Sequence, residues 1–159
     1  MKIMFEKFFP DEYLGSTYKI PFEKLYEQGY RGVIFDIDNT LVPHGAPADE
    51  RAKRLFQRLR EIGFESCLLS NNQKKRVEMF NQEIQTHYIY NALKPARKNY
   101  LHAMEIMGTD QTNTLFVGDQ LFTDVWGAKR VGIHNILVHP INPKAVSYTH
   151  LTLPTILRV

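Results

Sequence analysis

Residues 32–40 read GVIFDIDNT, a short apolar run that ends abruptly in two carboxylates. The apolar part is continuous rather than alternating and is rich in β-branched and aromatic side chains, which is typical of a central strand buried on both faces. Asp36 and Asp38 are two residues apart, so they project from the same side of an extended chain. This stretch therefore predicts a buried strand with a polar site at its carboxyl end.

On either side of this stretch the chain alternates between strand-like and helix-like segments. We predict strands at 33–37, 64–70, 87–90, 114–117 and 135–138, and helices at 21–28, 49–62, 74–82, 96–107 and 123–131. The helix at 49–62 has the clearest i, i+3, i+4 apolar pattern, and Gly63 follows it as a stop. This alternation predicts an α/β fold, a five-stranded parallel sheet with helices on both faces. Ligands bind at the carboxyl ends of the strands in such sheets.

Length and composition describe an ordinary globular domain. The 159 residues are 43% hydrophobic and 23% charged, which suits one domain with a sizeable core. No apolar run is long enough to span a bilayer, and the charged N-terminus does not resemble a secretory signal. The net charge of +3 is too mild to indicate a nucleic-acid partner. The single cysteine, Cys67, lies in an apolar run and predicts a buried thiol in a cytoplasmic protein. These features leave the oligomeric state open.

The C-terminal segment differs from the rest of the chain. Residues 146–155 read VSYTHLTLPT, which has no charge pattern and no helical period. The segment resembles the translation of a transposon-type sequencing adapter. We therefore expect a domain at 1–145, with an N-terminal arm at 1–20, followed by a non-native tail at 146–159. The alternative is a natural β-rich terminus, because residues 149–153 alternate weakly.

Further polar residues follow the next three predicted strands. They are Ser70 and Asn71 after the second strand, Lys94 after the third, and Asp119 and Asp124 after the fourth. Each has an ordinary structural explanation as a helix cap, a turn or a solvated surface residue. Their placement at the ends of successive strands favours a shared site instead. Carboxylates suit Mg²⁺, whereas a hydroxyl, free backbone N–H groups and an ammonium suit a phosphate.

The four polar clusters match the D-x-D-x-T, Ser/Thr, Lys and G-D-x-x-x-x-D motifs of the haloacid dehalogenase (HAD) superfamily. More closely, the chain resembles the YqeG-type HAD-IIIA family of bacteria, which is related to phosphatidylglycerophosphate phosphatases. This resemblance covers roughly residues 5–140. Its motifs are FFPDEY at 8–13, DIDNTLV at 36–42, LSNN at 69–72, KP at 94–95 and GDQLFTDV at 118–125.

The resemblance implies a HAD-like Rossmannoid fold and a Mg²⁺-dependent phosphomonoester hydrolase. It implies that Asp36 is the nucleophile, forming an aspartyl-phosphate, and that Asp38 is the general acid and then the general base. Further implied roles are phosphate binding by Ser70, Asn71 and Lys94, and Mg²⁺ binding by Asp36, the main-chain carbonyl of Asp38, Asp119 and Asp124.

Two other functions remain open on the sequence alone. One is a catalytically idle HAD scaffold that binds a phosphorylated partner, which the intact Asp36 and Asp38 pair argues against. The other is a phosphotransferase, which shares the aspartyl-phosphate and differs only in the acceptor.

Two further features lie near the motifs in the sequence. His44 is a lone loop histidine, and such a residue more often has no role in the site than contacts substrate. The basic run at 74–76 is either a solvated helix face or an attractor for an anionic substrate.

The spacing of the motifs predicts a site without a cap domain. Only 29 positions separate Leu41 from Ser70 and only 24 separate Ser70 from Lys94, whereas a separate folded domain needs roughly 50 residues. An open site suits a phosphate on a bulky carrier, and the resemblance points to a membrane lipid, phosphatidylglycerophosphate. The protein would then act at the inner face of the membrane. The aromatic residues of the arm would either rest at that interface or pack on the core: Phe5, Phe8, Phe9 and Tyr13.

Overall fold

The computed structural model describes residues 8–141 and shows one parallel sheet of six strands. The strands lie in the order β1-β6-β5-β2-β3-β4, and every neighbouring pair is parallel. Their bounds are β1 (Glu12–Leu14), β2 (Gly32–Phe35), β3 (Glu65–Leu69), β4 (His87–Ile89), β5 (Thr114–Gly118) and β6 (His134–Val138). β2, which precedes Asp36, therefore lies in the middle of the sheet.

Helices cover both faces of the sheet, as predicted. They are α1 (Phe22–Glu27), α2 (Glu50–Ile62), α3 (Lys74–Ile84), α4 (Arg97–Met107) and the short α5 (Gly127–Arg130). Val33 and Phe35 of β2 pack with α1, α2 and α3, whereas Ile34 packs with α4 and α5. All three β2 side chains are fully buried, which explains why the strand is apolar at every position rather than at alternate ones.

The number of strands in the sheet was predicted wrongly as five. The sixth strand, β1, comes from the N-terminal arm and extends the sheet beside β6, with Glu12 opposite Ile136. At three residues it is too short to show a strand pattern. It is fixed by a side chain instead: Asp11 N donates to Asn135 Oδ1 at 3.0 Å, and Asn135 N donates to Asp11 Oδ2 at 3.0 Å.

The helix predicted at 123–131 begins earlier and in a different form. Leu121–Trp126 forms a π-helical turn before α5, and Val125 N donates to Gln120 O at 3.1 Å. A π-turn inserts an extra residue into the helical repeat and is often found at functional sites. Here it contains Asp124, which is 1% exposed.

Cys67 is fully buried, as predicted, and this burial raises the pKa of its thiol to about 12. No helix within residues 8–141 is both long and apolar enough to cross a membrane. The predicted tail at 146–159 and the arm residue Phe5 lie outside the described residues.

Candidate active site

The first motif leaves β2 in a tight loop at the carboxyl edge of the sheet. Asp36 N still donates to Val117 O of β5 at 3.0 Å, and the chain then turns, with Asn39 N donating to Val42 O at 2.7 Å. Asn39 has a φ of 64°, a left-handed conformation that Asn tolerates better than most residues. The loop therefore places Asp36 directly at the strand end, next to the segment that follows β5.

Three carboxylates meet at this edge. One oxygen each from Asp36, Asp119 and Asp124 lies within 4.8 Å of the other two. Burial, together with the charges of Asp36 and Asp124, raises the pKa of Asp119 to about 9. Burial, only partly offset by Lys94, raises the pKa of Asp124 to about 6. Carboxylates this close and this buried resist joint ionisation unless a cation lies among them.

Lys94 supplies one such positive charge. Its Nζ donates to Asp36 Oδ1 at 2.9 Å and to Asp124 Oδ1 at 2.8 Å. Burial alone would lower the pKa of Lys94, but the Asp124 and Asp36 carboxylates outweigh it and raise the pKa above its ordinary value. Lys94 is therefore an ammonium that faces the candidate nucleophile, although β4 and its loop lie two strands away from Asp36.

The second motif holds Lys94 in place. Lys94 N donates to Asn71 Oδ1 at 2.7 Å, and Asn71 Nδ2 donates to Lys94 O at 3.1 Å. This is a supporting role, and a direct contact between Asn71 and a phosphate stays a prediction. Ser70 follows β3, the neighbour of β2, and its hydroxyl accepts from Asn72 N at 3.0 Å. Ser70 thus lies at the edge of the sheet that carries Asp36.

Asp38 has its own set of partners, separate from the carboxylate cluster. Arg76 Nη2 donates to Asp38 Oδ1 at 2.8 Å, Gly45 N donates to the same oxygen at 2.7 Å, and Asn72 Nδ2 donates to Oδ2 at 3.3 Å. Burial would raise the pKa of Asp38, but the hydrogen bonds from Arg76 and Gly45 outweigh it and hold the pKa below its usual value. The two aspartates of the first motif therefore lie in different electrostatic environments.

The carboxylate cluster fits a divalent cation. Asp119 Oδ1 accepts from Thr40 Oγ1 at 3.1 Å, but Asp119 Oδ2 is buried without a hydrogen-bond partner among the described residues. A buried carboxylate oxygen left unpaired is costly unless something else binds it. An all-oxygen set of ligands suits Mg²⁺. Asp38 contributes no carboxylate oxygen to the cluster, and its main-chain carbonyl as a metal ligand stays a prediction.

Comparison with known proteins agrees with this arrangement. The family described as HAD-hydrolase-like matches residues 91–140. "Probable phosphatase YqeG" of Bacillus subtilis (strain 168) is 39% identical over 140 residues, which cover 87% of this chain and 81% of that protein. This chain belongs to the YqeG family of HAD-type phosphatases.

A more distant relative of this YqeG-family chain is phosphatidylglycerophosphate phosphatase 1 (chloroplastic/mitochondrial) of Arabidopsis thaliana. It is 26% identical over 139 residues, covering 77% of this chain but only 38% of that protein. A HAD phosphatase from Thermococcus onnurineus shares the fold, with a TM-score of 0.52 at 17% identity over 69% of this chain and 86% of that one. An uncharacterized protein from Listeria monocytogenes serotype 4b also shares the fold, with a TM-score of 0.56 at 16% identity. The match covers 79% of this chain and 99% of that one.

Residues outside the family motifs also support the site. Thr17 Oγ1 donates to Thr40 O at 2.8 Å, and Tyr18 OH donates to Leu41 O at 2.7 Å, so the N-terminal arm braces the first-motif loop. Tyr100 of α4 is fully buried and donates to Thr123 O in the π-turn. Nothing in the sequence pattern distinguishes Thr17, Tyr18 or Tyr100 from ordinary core and loop residues, and their roles became visible only in the fold.

Of the two roles considered for the basic run at 74–76, a solvated face holds only for its two lysines, and attraction of an anionic substrate stays a prediction. Lys74 and Lys75 are exposed, whereas the Arg76 side chain is only 10% exposed and contacts Asp38. His44 Nδ1 lies 3.9 Å from Asp38 Oδ1, and its side chain is 62% exposed. In the YqeG-family site His44 is therefore near the first motif, and whether it contacts substrate stays a prediction.

Proposed function

We propose that this chain is a Mg²⁺-dependent phosphomonoester hydrolase that acts through an aspartyl-phosphate on Asp36, with phosphatidylglycerophosphate as substrate. The observation that carries the proposal is that Asp36 and Asp38 have different partners at the sheet edge. Asp36 lies against Lys94 within the carboxylate cluster, whereas Asp38 is held apart by Arg76. These separate environments support the proposal that Asp36 is the nucleophile and Asp38 the group that transfers protons.

In the first step a carboxylate oxygen of Asp36 attacks phosphorus, and the bond from phosphorus to the leaving oxygen breaks. The incoming phosphate places negative charge beside Asp38, which favours uptake of a proton by this otherwise ionised carboxyl. Asp38 then gives that proton to the leaving oxygen, so the alcohol leaves neutral. The Lys94 ammonium, 2.9 Å from Asp36 Oδ1, lies where the phosphoryl oxygens must come and offsets their charge. The Ser70 hydroxyl and the amide of Asn71 complete the proposed phosphate contacts.

In the second step a water attacks the phosphorus of the aspartyl-phosphate, and Asp38 takes the proton of that water. The bond from phosphorus to Asp36 breaks, which releases inorganic phosphate and restores both carboxyl groups to their starting forms. A phosphotransferase would share the first step and replace the water by another hydroxyl. Within residues 8–141 no cap lies between the motifs, so water can reach the site, which supports water as the proposed acceptor.

The proposed metal ligands are Asp36, Asp119 and Asp124, together with the main-chain carbonyl of Asp38. When bound, Mg²⁺ would offset the negative charge of the carboxylates and of the phosphoryl group. Support comes from the unpaired Asp119 Oδ2 and from the close approach of three carboxylates around one ammonium. The Lys94 ammonium compensates only one of the three carboxylate charges, and a divalent cation would compensate the other two.

The proposed substrate is supported by the open site and by the surface around it. Between Leu41 and Ser70 lies α2, and between Ser70 and Lys94 lie α3 and β4, so neither gap holds a cap. Leu93, directly before Lys94, is 70% exposed, and Phe122 is 42% exposed. Apolar side chains beside a phosphate site suit a lipid phosphate presented at a membrane surface, with the protein bound peripherally to its inner face.

The proposed function is tested by phosphate release from a panel of substrates with Mg²⁺ present. The panel contains phosphatidylglycerophosphate in mixed micelles, glycerol phosphate, and soluble sugar and nucleotide monophosphates. We expect the lipid to give a much higher kcat/KM than any soluble compound. A soluble metabolite that wins by tenfold or more, with no release from the lipid, would reject the lipid as substrate but leave the aspartyl-phosphate chemistry intact.

A further inference from the structure

We propose that Arg76 is a positioning residue, which anchors Asp38 through Oδ1 and so leaves Oδ2 as the oxygen that exchanges protons with the leaving group and with water. This inference rests on the proposed acid and base role of Asp38. Arg76 belongs to none of the four motifs, and its neighbours in the basic run are exposed lysines.

The hydrogen bonds to Asp38 are unevenly distributed between its two oxygens. Oδ1 accepts from Arg76 Nε at 3.1 Å, from Arg76 Nη2 at 2.8 Å and from Gly45 N at 2.7 Å. Oδ2 accepts only a longer bond, 3.3 Å, from Asn72 Nδ2 among the described residues. A proton on Oδ1 would displace one of three N–H donors, whereas Oδ2 accommodates a proton at the loss of one weak contact.

Arg76 is itself held in a fixed geometry. Its Nη1 donates to Ala46 O at 2.6 Å, and its side chain is 10% exposed. The guanidinium therefore joins α3 to the first motif and the loop after it, through the Asp38 side chain and the Ala46 main-chain carbonyl. An exposed ion pair would be mobile and energetically weak, but a planar, largely buried guanidinium with all three kinds of N–H group engaged orients its partner.

A positioning role through Asp38 has a consequence that a purely structural role lacks. The loss of Arg76 should lower kcat/KM most for the substrate whose leaving oxygen most needs a proton. An alkyl phosphate such as glycerol phosphate needs that proton, because an alkoxide is a poor leaving group. p-Nitrophenyl phosphate needs it far less, because p-nitrophenolate leaves readily as an anion. The parameter to compare is kcat/KM, which covers the steps up to the first irreversible one.

The experiment compares both substrates across full-length Arg76→Gln, Asp38→Asn and the double variant, with Mg²⁺ present. Because acid–base catalysis contributes about 10²–10⁴-fold, we expect Arg76→Gln to lower kcat/KM for glycerol phosphate by roughly tenfold or more. The p-nitrophenyl phosphate value should change by less than about threefold. In the Asp38→Asn background, adding Arg76→Gln should cause no further selective loss, because the two residues act as one unit.

Two variants keep the result interpretable. Arg54→Gln removes the same charge from an exposed position on α2 and should change neither substrate. Arg76→Lys keeps the charge but not the fork of donors. It should show an intermediate loss confined to glycerol phosphate, and it serves in place of Arg76→Gln if that variant does not fold.

An equal loss on both substrates, or no loss on either, would overturn the inference, as would the same selective loss in the Asp38→Asn background. If Asp38→Asn itself harmed both substrates equally, the acid role of Asp38 would fail, and the proposed function would be at fault before Arg76.

Discussion

Lys94 Nζ lies 2.8 Å from Asp124 Oδ1, and both side chains are almost completely buried. The lysine is the third motif and the aspartate ends the fourth, so this ion pair joins two loops from opposite halves of the sheet. Lys94 also reaches Asp36 at 2.9 Å. The ammonium is therefore the centre of the site's electrostatics as well as the proposed phosphate ligand.

Removing the Lys94 charge should damage both stability and activity. Lys94→Met leaves buried carboxylates uncompensated, and breaking a buried pair in this way costs roughly 3–5 kcal/mol. We expect thermal or urea unfolding to show a loss of that order, and phosphate release to disappear. Lys98→Met, an exposed change of the same kind on α4, is the matched control. Wild-type stability in Lys94→Met would contradict the buried-pair account.

Gly118 should not tolerate any side chain. A Cβ at this position would overlap the carboxylate of Asp124, which is held by Lys94 on one oxygen and by Gln120 N on the other at 3.1 Å. Gly118→Ala should displace Asp124, weaken Mg²⁺ binding and reduce activity, with a stability loss of about 1–3 kcal/mol from overpacking. Gly15→Ala, where a Cβ meets only Lys19 Nζ at 3.7 Å, should be nearly silent. Mg²⁺ titration of activity in both variants distinguishes the two positions.

Some residues of this site could be predicted from the sequence because they follow predicted strands, and others could not. Asp36 and Asp124 come after strands with clear apolar patterns, whereas Lys94 comes after the weak strand pattern at 87–90. Their meeting at one sheet edge followed from the predicted order of strands and helices. Arg76 gave only a weak signal within a basic run. Its partner Asp38 is 38 residues away, and no local pattern encodes a contact between a helix face and a distant loop.

The same limit explains the strand that was missed. β1 has only three residues. It pairs with β6, and a hydrogen-bonded contact between Asp11 and Asn135, distant in sequence, lies next to this pairing. The π-turn was read as ordinary helix for a related reason. The turn contains the buried Asp124, which contacts Lys94 from a distant loop. Helical periodicity reveals neither that contact nor the extra residue in the turn.

Chelation should abolish activity reversibly. EDTA treatment should remove a divalent cation held by Asp36, Asp119 and Asp124, and added Mg²⁺ should restore phosphate release because these oxygen ligands suit a hard cation. Asp119→Ala should raise the Mg²⁺ concentration needed for half-maximal activity, or remove activity altogether. Full turnover in a rigorously metal-free preparation would rule out this use of the cluster.

Without metal, stability should fall as the pH rises. The pKa of Asp119 is raised to about 9 in the folded protein, from about 3.9 for an unfolded aspartate. The folded state therefore binds more protons than the unfolded state between these values, and the free energy of unfolding decreases with pH across that window. Urea unfolding at pH 6 and pH 9 in EDTA should show this decrease. Asp119→Asn, which does not titrate, should show a flatter profile, and Mg²⁺ should flatten the profile of the wild-type protein. Equal pH profiles for the two proteins in EDTA would contradict the raised pKa.

The central claim is that Asp36 carries the phosphoryl group, and acid-quenched reactions with ³²P-labelled p-nitrophenyl phosphate and Mg²⁺ measure this directly. The Asp38→Asn variant should accumulate protein-bound label, because its second step lacks the general base. We expect hydroxylamine to release that label, peptide mapping to place it on Asp36, and Asp36→Asn to show neither label nor phosphate release. Turnover by Asp36→Asn at the wild-type rate, or label on a residue other than Asp36, would contradict the account.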